Sequence, residues 1–468
     1  VLLMRKTLLI FFLLFISSYP QSLKTKLDNI LKDKFFESCL VSIQVEDLIA
    51  NKTLYKKNEK FLLRPASNMK IITSAAGLLY LTPDYEFSTD LYYDGYVSND
   101  TLHGNIYVVG GCDPDFVTQD LYAFVDAIAS LNVSVINGNI YGDVSYKDSL
   151  YWGKGWMWDD DPSFDAPYLS ALNINDNCVE VMVQQSEYID KPTVTLIPGT
   201  DYLTVKNEST FDGDGKFEIT RSWIDKKNEV VVKGKFPISS RYAKDFVNVL
   251  NPEKYFLTLF SEVLDSNNIK TLGTIEIKNL LQETNLLYSF KRKYSEIIEN
   301  LNKTSDNLSA EMTLYALANK YSGKPATADS GIQFINLLID SICLNHKDYR
   351  IVDGSGVSHY NNVSAELLVN VLKYFNDKQP ELYEILYNSF PVAGIDGTLE
   401  NRMRKTAAAN NVHAKTGTLT GVSCISGYLT NKKNNTIAFS IMMQNYVGSS
   451  SKAKEFQDEI CRILAESY

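Results

Sequence analysis

The apolar residues of this chain change period in blocks, and that change is the strongest constraint on its fold. Ser67 to Leu81 carries Ile71, Ile72, Ala75, Leu78 and Leu79 at three- and four-residue intervals, the spacing of one helix face. Ahead of it, Leu40 to Val45 alternates as a strand, and Lys56 to Leu63 leads into a turn at Pro65. From about Tyr85 to Ser145 the texture becomes short β runs rich in Tyr, Val and Gly. Within them the tetrapeptide Gly-Asn-Ile-Tyr occurs at Gly104–Tyr107 and again at Gly138–Tyr141, which predicts a repeated hairpin element. Val179, Val181 and Val183 alternate, Val230 to Val232 form another β run, and turn signals such as Asp212-Gly-Asp-Gly215 lie between them. Asn251 to Leu264 returns to helical spacing with Pro252 near its start. From Tyr294 helix and strand alternate up to a last helix, Lys452 to about Leu464. Helical ends around β-rich material read as an α/β domain split by insertions.

Size and charge narrow the class. The chain has 468 residues, which at roughly 150 per domain gives about three domains. With 45% hydrophobic and 22% charged residues it can bury a core, so neither disorder nor a coiled coil is expected. The balance of 46 basic against 56 acidic residues (formal charge -10) argues against a nucleic-acid partner, which would need basic patches. Four histidines (His103, His346, His359, His413) lie far apart, and HExxH, CxxC and GxxxxGK[ST] patterns are missing, so neither a metal nor a nucleotide cofactor is expected. The segment holding Trp152, Trp156, Trp158 and Asp159–Asp161 reads as a solvated loop with aromatic anchors, since no EF-hand spacing follows. The six cysteines are scattered and are expected as buried free thiols.

Residues 1–22 read as a signal peptide. Arg5 and Lys6 follow Met4, the expected start; Leu8 to Ile16 is apolar, and Ser17 and Ser18 come next. Nine apolar residues are too few for a bilayer, which needs about 20. The expectation is export to the periplasm or the exterior. No cysteine precedes Cys39 to carry a lipid. Lys452 to Tyr468 reads as mixing its charges around the helix, so membrane association is peripheral at most.

With metals set aside, a hydrolase needs a nucleophile, a base and an oxyanion site. No GxSxG elbow supports a Ser-His-Asp triad. Ser67-Asn-Met-Lys70 offers another solution: at a helix start, residues i and i+3 share a face, so the Lys70 amine can reach the Ser67 hydroxyl. Burial and the helix N-terminus would both depress the lysine pKa and leave a neutral amine as base. The Ser67 N–H would face a developing oxyanion. Ser305-Asp306-Asn307, at a loop or helix start before Leu308 to Ala318, supplies a second hydroxyl and an amide. Lys415-Thr-Gly-Thr418 precedes the strand-like Ser426 to Thr430; it can present an ammonium and two hydroxyls to a carboxylate, with Gly417 permitting close approach.

The order SxxK, SDN, KTG resembles the signature of penicillin-recognising serine acyltransferases. The gap of 238 residues between the first two (305 minus 67) far exceeds that of class A β-lactamases. It resembles the S13 family of D-alanyl-D-alanine carboxypeptidases, the class C low-molecular-mass penicillin-binding proteins. The resemblance extends to Gly104-Asn-Ile-Tyr-Val-Val-Gly-Gly-Cys-Asp-Pro114, Gly142-Asp-Val-Ser145, Ala171-Leu-Asn-Ile-Asn-Asp-Asn177, Asp353-Gly-Ser-Gly356 and Val392-Ala-Gly-Ile-Asp-Gly-Thr-Leu399, with Cys112 where the family's DP loop has Gly.

The resemblance implies a discontinuous α/β (α+β) transpeptidase-like catalytic domain, residues 23–88 and 285–468. It also implies an inserted domain (89–178 and 239–284) and a small β domain nested in it (179–238). It further implies Ser67 as nucleophile on peptidoglycan stem peptides, Lys70 as base and Ser305 as proton relay. Asn307 would hold the donor peptide, and Lys415, Thr416, Gly417 and Thr418 the terminal carboxylate, with the Ser67 and Thr418 N–H groups as oxyanion hole. β-Lactams would be covalent inhibitors, and D,D-endopeptidase activity would share the site. A β-lactamase and a non-catalytic wall-binding module are the competing readings; oligomeric state stays open.

Overall fold

Strands from the two ends of the chain make one antiparallel sheet. Its order is His413–Leu419, Val422–Thr430, Thr436–Gln444, Leu40–Asp47, Lys52–Lys57, and Leu40 faces Gln444 across the central pair. This is a computed structural model, and it describes residues 22–185, 191–212, 214–237, 240–281 and 283–467. The expected signal peptide therefore lies outside the described residues except for Ser22.

Period-2 alternation gives the sheet two buried faces. Val41, Ile43, Val45, Ile425, Ile437, Phe439 and Ile441 point toward the helices Leu23–Ile30 and Ser451–Ala465. Val422, Cys424, Tyr428, Ala438 and Met442 point into the main helical core, with Met69–Tyr80, Asn307–Ser322 and Ala365–Lys378. Met69–Tyr80 is the innermost helix: every residue from Met69 to Leu78 is buried. The last helix corrects its reading from sequence. Its charges do not encircle it; Ala453, Gln457, Ile460, Cys461 and Leu464 form one buried face against the sheet. Among the described residues no helix is long and apolar enough to cross a membrane.

A second sheet, with its own core, is built from the middle of the chain. Its order is Ile275–Ile277, Ile140–Asp143, Ile106–Gly110, Glu86–Tyr93, Asn285–Lys293, with Pro252–Ser266 packed on it. The expected repeated hairpin is instead a parallel pair: Ile106 and Tyr107 face Ile140 and Tyr141. Parallel neighbours need a crossover, and the helix Leu121–Ala129, hidden in β-like composition, provides it. Asn285–Lys293, expected with the catalytic segment, pairs with Glu86–Tyr93 in this sheet. The two crossings back toward the first sheet and its helices lie side by side, where Tyr294 N donates to Tyr85 O at 2.8 Å. Cys112 sits at φ +64, a left-handed position that favours the glycine expected there.

The nested β unit holds two three-stranded sheets. Tyr242–Asn248 pairs along the whole of Cys178–Gln184, so hydrogen bonding carries the unit past the expected limit at 238. All six cysteines are free; five are buried, as expected, but Cys343 is exposed.

Asp161 also departs from expectation. Of the Asp159–Asp161 run, Asp159 is exposed, Asp160 half-buried and Asp161 only 1% exposed. It pairs with the equally buried Arg221 and with Lys226 Nζ at 2.9 Å, and it accepts from Tyr168 Oη at 3.0 Å. Arg221 also donates to Asn248 Oδ1 and Lys227 O, each at 3.0 Å. Removing one partner would strand a buried charge, which costs about 3–5 kcal/mol. Arg221→Ala should therefore lower the unfolding free energy measured in denaturant by about that amount, moving the midpoint to lower concentration, and the Asp161→Asn/Arg221→Met double variant should recover part of it.

Candidate active site

Ser67 lies in a 3-10 turn, Ala66–Asn68, immediately before the helix Met69–Tyr80, rather than in the α-helix itself. The turn follows Pro65 and puts Ala66 at φ +47, a left-handed conformation worth about 1–2 kcal/mol of strain for an L-residue. Two glycines let the surroundings close on it. A Cβ on Gly356 would lie 1.9 Å from Ala66 O, and one on Gly417 would lie 2.8 Å from both Pro65 O and Ser67 N.

The i, i+3 geometry expected for the pair is realised. Lys70 Nζ is 3.0 Å from Ser67 Oγ and 2.8 Å from Ser355 O, and it also bonds Asn307 Oδ1. Lys70 is completely buried, and burial pushes its pKa down to about 8 against the upward pull of Asp306, Asp353 and Glu311. Of its three neighbours, the Ser355 carbonyl and the Asn307 amide oxygen can only accept. A neutral amine has two protons for them, which turns its lone pair to the one neighbour able to donate, the Ser67 hydroxyl.

Ser305 and Asn307 come from the start of Asn307–Ser322. Ser305 takes φ +69, and Asp306 caps the helix by accepting from Ser309 N. Asn307 divides its amide, with Oδ1 on Lys70 and Nδ2 donating to Asp165 O at 2.6 Å. Lys415, Thr416, Gly417 and Thr418 lie in the strand His413–Leu419, at the edge of the first sheet. Lys415 is fully buried, donates to Thr416 O at 3.0 Å, and is held well below the ordinary lysine pKa by burial, with Lys70 adding repulsion. Thr416 Oγ1 lies 2.7 Å from Thr398 Oγ1, and Thr418 is exposed. Together Ser67, Ser305, Asn307, Thr416, Gly417 and Thr418 line one cleft of about 400 Å³, along with Asp160, Asp165 and Thr398.

Sequence reasoning missed the supports beneath these groups. Asp353, quoted only within a motif, accepts from Gly356 N (2.9 Å), Ser358 N (2.6 Å), Asn361 Nδ2 (2.6 Å) and Trp156 Nε1 (3.0 Å), and so shapes the loop that offers Ser355 O to Lys70. Glu311 Oε1 accepts from Gly354 N at 3.0 Å and Ser355 N at 2.8 Å. Glu311 is the one charge in the run Leu308 to Ala318, a signal that was available. Its carboxyl is pushed up to about 8 by burial, with Asp353 adding repulsion. Behind the site, Asp115, Asp176 and Asp306 bring carboxylate oxygens within 4.8 Å of one another, the grouping closest to a metal site among the described residues. Burial pushes the Asp115 carboxyl up to about 7, with the Asp306 charge adding repulsion.

The D-Ala-D-Ala carboxypeptidase 3 (S13) family model matches residues 23–467. A D-alanyl-D-alanine carboxypeptidase of Actinomadura sp. (strain R39) is 29% identical, over 95% of this chain and 84% of its own. The D-alanyl-D-alanine carboxypeptidase DacB of Haemophilus influenzae is 26% identical, over 91% of this chain and 89% of its own. The crystal structure of penicillin binding protein 4 from Haemophilus influenzae superposes with a TM-score of 0.83 at 23% identity, covering 95% of this chain and 99% of that one, and shows the same fold. A second structure of that protein, complexed with a β-lactam, gives 0.78 at 22% identity with the same coverage.

The raised Glu311 pKa has a consequence for stability. Its neutral form is favoured in the fold, so its contribution is complete below the ordinary value of 4.5 and is lost as pH rises through about 8. Glu311→Gln, which keeps the acceptor and cannot ionise, should flatten that loss. Melting temperatures at pH 5 and pH 9 should fall further for the native protein than for the variant; parallel curves would show that Glu311 does not titrate there.

Proposed function

The chain belongs to the S13 family of D-Ala-D-Ala carboxypeptidases, a serine peptidase family, and from that premise we propose that Ser67 forms the acyl-enzyme on the terminal D-Ala–D-Ala of peptidoglycan stem peptides. The observation that carries this reading is the 3.0 Å approach of Ser67 Oγ to a buried lysine whose pKa has fallen to about 8.

The neutral Lys70 amine takes the Ser67 proton as Oγ attacks the carbonyl of the penultimate D-Ala. Negative charge gathers on the carbonyl oxygen between the Ser67 and Thr418 N–H groups. The proton passes through Ser305 to the nitrogen of the departing D-Ala, the C–N bond breaks, and water then hydrolyses the ester by the reverse route. Lys415 attracts the terminal carboxylate, whose charge restores the lysine proton that burial disfavours. The Thr416 and Thr418 hydroxyls complete the carboxylate site, and Asn307 binds the peptide backbone. The edge strand that carries them is suited to an extended peptide laid beside it. A D-Ala–diamino acid cross-link presents the same bond with a larger leaving group, which makes endopeptidase activity part of the same chemistry. A β-lactam would acylate Ser67 likewise; the Haemophilus influenzae relative has been solved with one bound. Residues 1–22, read as a signal peptide, would deliver the enzyme to its extracytoplasmic substrate.

A fluorescent penicillin, followed over hours, should label the native protein stably and Ser67→Ala not at all; rapid loss of label with antibiotic turnover would instead identify a β-lactamase. The acylation rate should rise about tenfold per pH unit up to about 8 and then level, as Lys70 loses its proton. A rate independent of pH between 6 and 9 would remove Lys70 as base. Gly417→Ala should slow acylation about 100-fold, because its Cβ would lie 2.8 Å from Ser67 N and displace the oxyanion donors.

A further inference from the structure

All four tryptophans of this chain belong to or touch one segment, residues 151–168. That segment has two sides. Asp160, Ser163 and Asp165 line the catalytic cleft, whereas Tyr151, Trp152, Trp158 and Tyr168, with Trp223 opposite, wall a separate hollow of about 350 Å³. The single turn Trp158–Asp160 contributes its first residue to one hollow and its last to the other. Trp158 is 69% exposed and Ile224 beside it 74%, so folding leaves large apolar surface in water here. The Trp158 and Trp223 rings meet at 5.0 Å and 37°, presenting two inclined flat faces. Tyr151, Tyr168 and Lys226 also line a larger, neighbouring hollow of about 880 Å³, whose other walls carry Ser170, Asn251, Glu253 and Asn279.

Flat π faces next to hydroxyl, amide and carboxylate groups suit a pyranose. Its C–H face stacks on the rings, and its hydroxyl and acetamido groups find polar partners. A purely apolar peptide would leave the Ser, Asn and Glu groups unmatched. An ionic ligand would find Lys226 already paired with Asp161.

We infer that this aromatic groove binds the N-acetylated amino-sugar strand to which the stem peptide is attached. The inference rests on the reading of the cleft as a stem-peptide site. The two hollows share one segment as a wall, with Trp158 of the turn Trp158–Asp160 in one and Asp160 in the other, which places the groove next to the cleft.

The probe is a peptide-free N-acetylglucosamine tetrasaccharide titrated into the full-length protein. It should change tryptophan fluorescence saturably, and Trp158→Ala should weaken its binding about tenfold. Trp158→Ala and Ile224→Ser, both at exposed positions, should lower kcat/KM about tenfold on a sugar-linked stem peptide. They should leave cleavage of a free acyl-D-Ala-D-Ala peptide and penicillin labelling unchanged. No fluorescence response up to millimolar tetrasaccharide, or equal losses on both substrates, would overturn the proposal. Failure of the native protein to take up penicillin would overturn the reading of the cleft instead, and the saccharide titration would still be measured by itself.

Discussion

The whole site depends on keeping one lysine amine out of water. Lys70 is buried without a carboxylate in contact, and its three hydrogen-bond partners come from positions 67, 307 and 355. A buried ammonium in such a place is unfavourable, and burial brings the Lys70 pKa down to about 8, within reach of a neutral amine. The left-handed Ala66, the close approach of Gly356 and Gly417, and the Asp353 loop all follow from packing three chain segments around that nitrogen.

This arrangement explains what could and could not be read from the chain. The helix after Ser67, the sheet strand at Leu40 and the three short motifs were legible because each is a local pattern: a period, or a spacing of three. Ser355 O and Asp165 O were not, because a backbone carbonyl has no residue type to advertise it. Glu311 drew no notice in the sequence because the loop it supports, at Gly354 and Ser355, lies more than forty residues further along the chain. The Gly-Asn-Ile-Tyr repeat showed that two strands are related, yet pairing direction is decided by the connection, and the helix between them is short and rich in residues common to both states. Asp161 was misjudged because its partner Arg221 is 60 residues away.

The inserted regions are tied into the site rather than appended to it. Residues 151–168 send Trp156 to Asp353, Asp165 O to Asn307, and Asp161 to Arg221 in the nested β unit. One loop thus touches the Asp353 that shapes the loop behind Lys70, the Asn307 amide, and Arg221 in the nested β unit. Local rearrangement of that loop would reach the reacting groups through hydrogen bonds alone.

The first sheet, finally, joins the beginning of the chain to its end, since Leu40–Asp47 has Thr436–Gln444 as its inner neighbour. The middle sheet closes entirely on strands between Glu86 and Lys293. A chain emerging in order can therefore fold its centre while Ser67 and Lys70 still lack the strand that carries Lys415. Ser67 and Gly417 meet in one cleft only when that strand has joined the sheet, so closing the sheet is what completes the cleft.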